Sequence, residues 1–147
     1  MDYTTERSGV HRYAMEINPR TSSGAIVKAA KDIGDALGAV ALVAFTQTGD
    51  TARRLSRLQP RQRILVFTPV EQVQRQTALL WGAEAQLVWT VRTTDDMVRQ
   101  VDTALLDGSV CHPGDLVIIV AGTPPTTPGA TNTIRVHHIG DILRHDG

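Results

Sequence analysis

Thr46, Thr48, Gly49, Asp50 and Thr51 stand together in the stretch Thr46-Gln47-Thr48-Gly49-Asp50-Thr51, between the apolar run Val40 to Phe45 and a segment of helical character. Three hydroxyls at this spacing, with the backbone amides around Gly49 directed outward where a helix begins, present several hydrogen-bond donors and a favourable dipole to an anion. The chemistry expected of such a turn is capture of a phosphate group. The same residues also suit an ordinary helix start, with Thr48 or Asp50 as the cap and Gly49 turning the chain.

Other reactive residue types are sparse. Cys111 and His112 are sequence neighbours, so in an extended chain their side chains point to opposite sides, and no acidic residue is placed to orient a thiol dyad. His137, His138, Asp141 and His145 cluster near the end, but adjacent histidines in a strand diverge; a protonatable edge or an interface contact suits them better than a metal site. Arg53, Arg54, Arg57, Arg61 and Arg63 fall within eleven positions. They read as a solvated helix face or as an interface and anion-binding feature. Formal net charge is zero and aromatic residues make up 4% of the chain, so neither a global basic field nor stacking platforms point to nucleic acid. No apolar stretch is long enough to span a bilayer. The single cysteine excludes an internal disulfide and fits a reducing cytoplasm.

The elements that must hold the turn follow from periodicity. The 147 residues suit one domain with an aliphatic core. Residues 1–20 are polar and without sustained period, and read as a lead-in or linker to a domain covering 21–147. A helix is expected from Ser22 or Ser23 to Leu37, ended by Gly38, with Ile26, Ala29, Ala30, Ile33 and Leu37 on one stripe. The run Val40 to Phe45 is continuously apolar, as in a strand buried on both faces of a parallel sheet. A helix over about Thr51 to Leu58, a strand Arg63 to Phe67, a helix from Val70 to Trp81 closed by Gly82, and a short strand Gln86 to Trp89 come next. Thr93 and Thr94 open a helix with Met97, Val101, Ala104 and Leu105 inward, and Leu116 to Val120 is the most apolar strand. Strands alternating with helices imply a three-layer α/β/α sandwich. The Pro-rich stretch Ala121 to Asn132 contains no helix, so the strand Thr133 to Ile139 should return antiparallel. That long loop is positioned to close over a ligand held by the turn.

Three separated pieces together resemble one family. They are the turn followed by Thr51-Ala52-Arg53-Arg54-Leu55-Ser56-Arg57; Ile64-Leu65-Val66-Phe67-Thr68-Pro69; and Gly114 to Gly122 with Gly129-Ala130-Thr131-Asn132-Thr133-Ile134-Arg135-Val136. In order and distance, over about residues 21–139, they are similar to the C-terminal domain of pyruvate kinase. The resemblance implies a five-stranded mixed sheet whose last strand is antiparallel. It also implies that phosphoryl transfer from phosphoenolpyruvate to ADP, with magnesium and potassium, belongs to a separate (β/α)8 barrel of about 250 residues, leaving this chain by itself without a catalytic residue, metal or cofactor.

The family's C-terminal domain binds a phosphorylated effector and contributes to subunit contacts. Carried over, the effector phosphate meets Thr46, Thr48, Gly49, Asp50 and Thr51, and the loop Thr127, Pro128, Gly129 and Ala130 closes from the other side. Where the version that binds fructose 1,6-bisphosphate has basic residues in the turn, this chain has Gln47 and Asp50. A carboxylate beside a phosphate is repulsive, which favours a sugar monophosphate or AMP over the bisphosphate. The expected partners are thus such an effector and further copies of the chain, with no nucleic acid and no membrane. The alternative from another class is a free-standing phosphosugar- or nucleotide-binding protein, or a small phosphosugar enzyme, for which Asp50 is the one plausible base near the turn.

Overall fold

The computed structural model describes residues 19–122 and 131–141. Its elements are α1 (Pro19–Leu37), β1 (Ala41–Phe45), α2 (Asp50–Arg57), β2 (Arg63–Thr68), α3 (Glu71–Thr77), β3 (Ala83–Leu87), α4 (Thr94–Asp107), β4 (Leu116–Ala121) and β5 (Thr133–His138). The five strands form one sheet in the order β3-β2-β1-β4-β5. The first four are parallel, and β5 runs antiparallel to β4 from Leu116↔His138 to Ala121↔Thr133. This is the mixed α/β sandwich expected. The antiparallel return of β5 is the one read from the Pro-rich sequence ahead of it, which carries no helical pattern for a crossover.

Every residue of β1 is buried, because the central strand is covered on both faces. Leu42, Ala44, Ile64, Val66, Ile118 and Val120 pack against Val27 and Ala30 of α1 and Ala52 and Leu55 of α2. Val43, Phe45, Leu65, Phe67, Val117 and Ile119 face Met97, Val101 and Leu105 of α4. The step from β2 to β3 continues the direction of β1 to β2, so a right-handed crossover sets α3 beside α2. A hydrogen bond of 3.4 Å from Arg53 to Gln76 joins these two helices.

Several boundaries differ from those expected. Helix α1 starts at Pro19, ahead of Ser22, and proline is well suited to a first helical turn whose amides lack intrahelical partners. The α-helix expected to reach Trp81 ends at Thr77. Its last turn tightens through bonds from Leu79 to Gln76 and from Leu80 to Thr77, and Gly82, at φ +71°, turns the chain into the sheet. Strand β3 accordingly begins at Ala83 rather than Gln86, in register with β2 from Ile64↔Ala83 to Thr68↔Leu87. Trp89 falls beyond it and is 87% exposed. The strand that starts at Thr133 is expected from the sequence to end on Ile139. That residue instead turns inward after β5 and is 2% exposed, part of the core beneath α4.

At the amino end of the sheet, Asp35 accepts from Gln62 Nε2 at 2.9 Å, Lys31 Nζ at 3.1 Å and Arg61 Nε at 3.4 Å. The Gln62 amide first, then Lys31, draw its carboxyl from 3.8 down to about 2. A carboxylate whose ionisation is easier in the folded state stabilises the fold above its unfolded value and ceases to do so as pH falls through the folded one. Urea midpoints of parent and Asp35→Asn should therefore converge as pH is lowered from about 4 to 2. Parallel acid titration curves over that window would show that Asp35 carries no such linkage.

Candidate functional site

The threonine turn lies where β1 leaves the sheet at its carboxyl end. The Thr46 amide donates to Phe67 O at 3.0 Å, which fastens the turn to β2. Buried Thr46 then folds its hydroxyl oxygen back to accept from the amides of Gly49 at 2.9 Å and Thr48 at 3.3 Å. An oxygen occupied in this way still has its own proton to donate, so the amides orient that donor. Gly49 sits at the N-cap of α2 with φ 89° and ψ −4°, a left-handed conformation that a side chain would strain. The cap position thus falls on Gly49 itself and not on Thr48 or Asp50. Thr48, exposed to solvent, accepts from Asp50 N at 3.3 Å.

Asp50 and Thr51 face other neighbours. The Asp50 carboxylate is held by Arg54 Nε at 2.8 Å, an i,i+4 ion pair that balances its charge. Thr51 is buried and its hydroxyl meets that of Thr131 at 2.6 Å. Thr131 is itself fixed by a bond of 3.1 Å from its amide to Ser23 Oγ on α1. The residues Thr127, Pro128, Gly129 and Ala130, expected to close over a ligand, lie outside the described residues. Their chain neighbour Thr131 stands directly against the turn. Sequence reasoning did not single out Thr131 or Ser23 as partners of Thr51; the only signal was the Thr131-Asn132-Thr133 block.

The other candidate chemistries come apart in three dimensions. Cys111 is buried, and burial first, then the Asp115 carboxylate, pushes its thiol upward, away from nucleophilic character. His112 is exposed and turns to Asp115, with Nδ1 3.7 Å from Oδ2. His137 and His138 diverge as adjacent strand residues must. His137 is buried with Nε2 2.8 Å from Asp102 Oδ1 of α4, while His138 is exposed with Nδ1 3.9 Å from Asp141 Oδ2. His145 lies outside the described residues, and among those described no three His, Cys, Asp or Glu side chains gather as a metal site would require. No described helix is long and apolar enough to cross a membrane. A groove of about 560 Å³ between β3 and α4, bordered by Trp89, Gln100 and Thr103, is separate from the turn.

The family of the pyruvate kinase alpha/beta domain matches residues 24–137. Pyruvate kinase from Mycobacterium tuberculosis is 53% identical over 123 residues, 84% of this chain and 26% of that protein. That of Corynebacterium glutamicum is 50% identical over 126 residues, 86% of this chain and 26% of the relative. A crystal structure of a pyruvate kinase from Cryptosporidium parvum superposes with a TM-score of 0.70 at 21% identity, over 80% of this chain and 22% of that one, which speaks for the fold. The chain thus spans about a quarter of the length of these relatives. With a family match over most of the described sheet and helices, and half the residues shared with pyruvate kinases, the chain belongs to the pyruvate kinase alpha/beta domain family.

Proposed function

We infer that this domain is a non-catalytic regulatory and oligomerisation module of a cytoplasmic, glycolytic pyruvate kinase, and that it binds a phosphorylated effector at the turn Thr46 to Thr51. Phosphoryl transfer would belong to a barrel elsewhere in such a protein, together with its magnesium and potassium. The observation that carries the effector reading is the arrangement of hydroxyls. Thr46 and Thr48 each accept backbone amides and so have their protons left to donate, at the start of α2 where the helix dipole is positive. The Asp50 charge is already met by Arg54, so the turn tolerates one phosphate without a lysine. A sugar monophosphate or AMP fits this better than fructose 1,6-bisphosphate.

Calorimetric titration of the purified domain with glucose 6-phosphate, AMP and fructose 1,6-bisphosphate tests this reading. Saturable binding of a monophosphate, tighter than that of the bisphosphate, is expected. Absence of binding by all three would return the turn to a purely structural role.

Self-association has a separate basis. Among the described residues strand β5 pairs only with β4 and so ends the sheet, and Val136 on it is 43% exposed. An open edge with an apolar side chain is suited to pairing with a second copy across a twofold axis. Sedimentation velocity should show a concentration-dependent dimer that Val136→Lys weakens; a monomer at all concentrations would count against this edge as a contact.

A further inference from the structure

The arginines that follow the turn are of two kinds. Three have carboxylate partners: Arg54 pairs with Asp50 at 2.8 Å, Arg61 with Asp35 at 3.4 Å, and Arg63 makes a two-pronged contact to Glu84 at 2.8 and 2.9 Å. Arg53 is different. Among the described residues its guanidinium donates only to neutral acceptors, Thr48 O at 3.1 Å and Gln76 Oε1 at 3.4 Å. Arg57 also has no carboxylate partner among the described residues, but it is exposed at the end of α2, where a helix dipole favours a cation.

Arg53 has no such explanation. It is the fourth residue of α2, and its amide makes the bond to Gly49 O that closes the first turn, at the end where the dipole opposes positive charge. It also lies against the turn: its guanidinium atoms stand 3.0–3.1 Å from the point a Cβ on Gly49 would occupy. With Asp50 balanced by Arg54, Arg53 leaves a net positive charge beside the hydroxyls of the turn.

We propose that Arg53 is the specificity-determining cation of this site, selecting the dianionic form of a phosphate monoester. This rests on the effector reading above. Its two bonds to neutral oxygens exchange for charge-assisted bonds to phosphate, which are shorter and stronger, and a guanidinium offers two donors in the plane that a phosphate accepts. Thr46 and Thr48 then position the group, and Arg53 reads its charge. The ionisable groups around Arg53 are Asp50 and Arg54 on its own helix, paired with each other, and Glu71 and Arg75 on α3, paired at 3.0 Å. The described histidines are in the loop before β4 and on β5.

AMP is titrated into the parent domain, Arg53→Gln, Arg53→Lys, Arg57→Gln and Thr48→Val between pH 5 and 7.5, spanning the second ionisation of a phosphate monoester at about 6. Circular dichroism and thermal melting check that each variant is folded. The parent should bind more tightly as pH rises through that value. Arg53→Gln should bind about tenfold or more weakly at pH 7.5 and lose most of that rise, Arg53→Lys should regain part of both, and Arg57→Gln should match the parent. Folded Arg53→Gln that binds with the parent's affinity and pH profile, while Thr48→Val binds weakly, would overturn the role of Arg53 and leave the effector site standing. Equal losses in Arg53→Gln and Arg57→Gln would reduce the effect to a general field and overturn it as well. No binding by the parent would overturn the effector reading itself, and this inference with it.

Discussion

Asp102→Ala should lower the stability of the domain by about 3–5 kcal/mol, because it leaves one half of a buried pair without its partner. The Asp102 and His137 side chains are each only 3% exposed, and the same carboxylate oxygen accepts from His137 Nε2 and from the Gly140 amide, both at 2.8 Å. This one atom therefore ties α4 to the end of the edge strand β5 and to the turn that buries Ile139. Removing it strands a buried imidazole and the partly buried Gly140 N–H, and an unmet buried donor is more costly than a hydrogen bond is favourable. Asp102→Asn, which keeps an acceptor of the same shape, should lose markedly less. The double replacement Asp102→Leu with His137→Leu should be milder than Asp102→Ala, since the imidazole is no longer stranded and only the Gly140 amide is left without its acceptor. Equilibrium urea unfolding gives the order directly. A loss below about 1 kcal/mol for Asp102→Ala would mean that solvent or another group takes over the pairing.

Thr48→Val should weaken binding of a phosphate monoester by roughly tenfold or more, since a hydrogen bond to a charged group contributes about 1.5–3 kcal/mol. The choice of Thr48 over Thr46 matters. Thr46 is buried and its oxygen holds two amides of the turn, so Thr46→Val would disturb the site and the fold together. Thr48 is exposed and holds only the Asp50 amide at 3.3 Å, and valine keeps the branched shape. Asp50→Ser should act in the opposite sense: it removes a carboxylate from the neighbourhood of the anion and releases Arg54 from its ion pair. Calorimetry on the two variants checks both signs. Unchanged affinity in Thr48→Val would assign its hydroxyl to the helix start alone.

How far each element was legible in the residues depended on how local its causes are. The unbroken apolar runs of β1 and β4 announced strands covered on both faces, and both occupy the centre of the sheet. Helix α4 began where its threonine said it would, with Thr93 Oγ1 accepting from Asp96 N at 3.0 Å. The direction of β5 followed from the Pro-rich sequence ahead of it, which has no helical pattern. In contrast, β3 is an edge strand with small and polar residues, so its own pattern is weak, and only the register imposed by β2 places its start at Ala83. The end of α3 moved for the same reason, since the chain must reach that register.

The candidate turn shows the same division. By itself, the sequence determined the turn: a buried strand, a glycine able to take a positive φ, and threonines with short hydroxyl arms are enough to specify contacts within three residues. Tertiary structure alone decided what surrounds it. Thr51 meets Thr131 across 80 residues of chain, Ser23 meets Thr131 across 108, and His137 meets Asp102 across 35. No local period records such pairs, because they arise only when packing of the apolar faces brings separate elements together and leaves their buried polar groups to find one another. The sorting of the arginines into those with a carboxylate and Arg53 beside the turn also waited on the fold, for identical side chains in one short segment differ only in what the neighbouring helix and strand present to them.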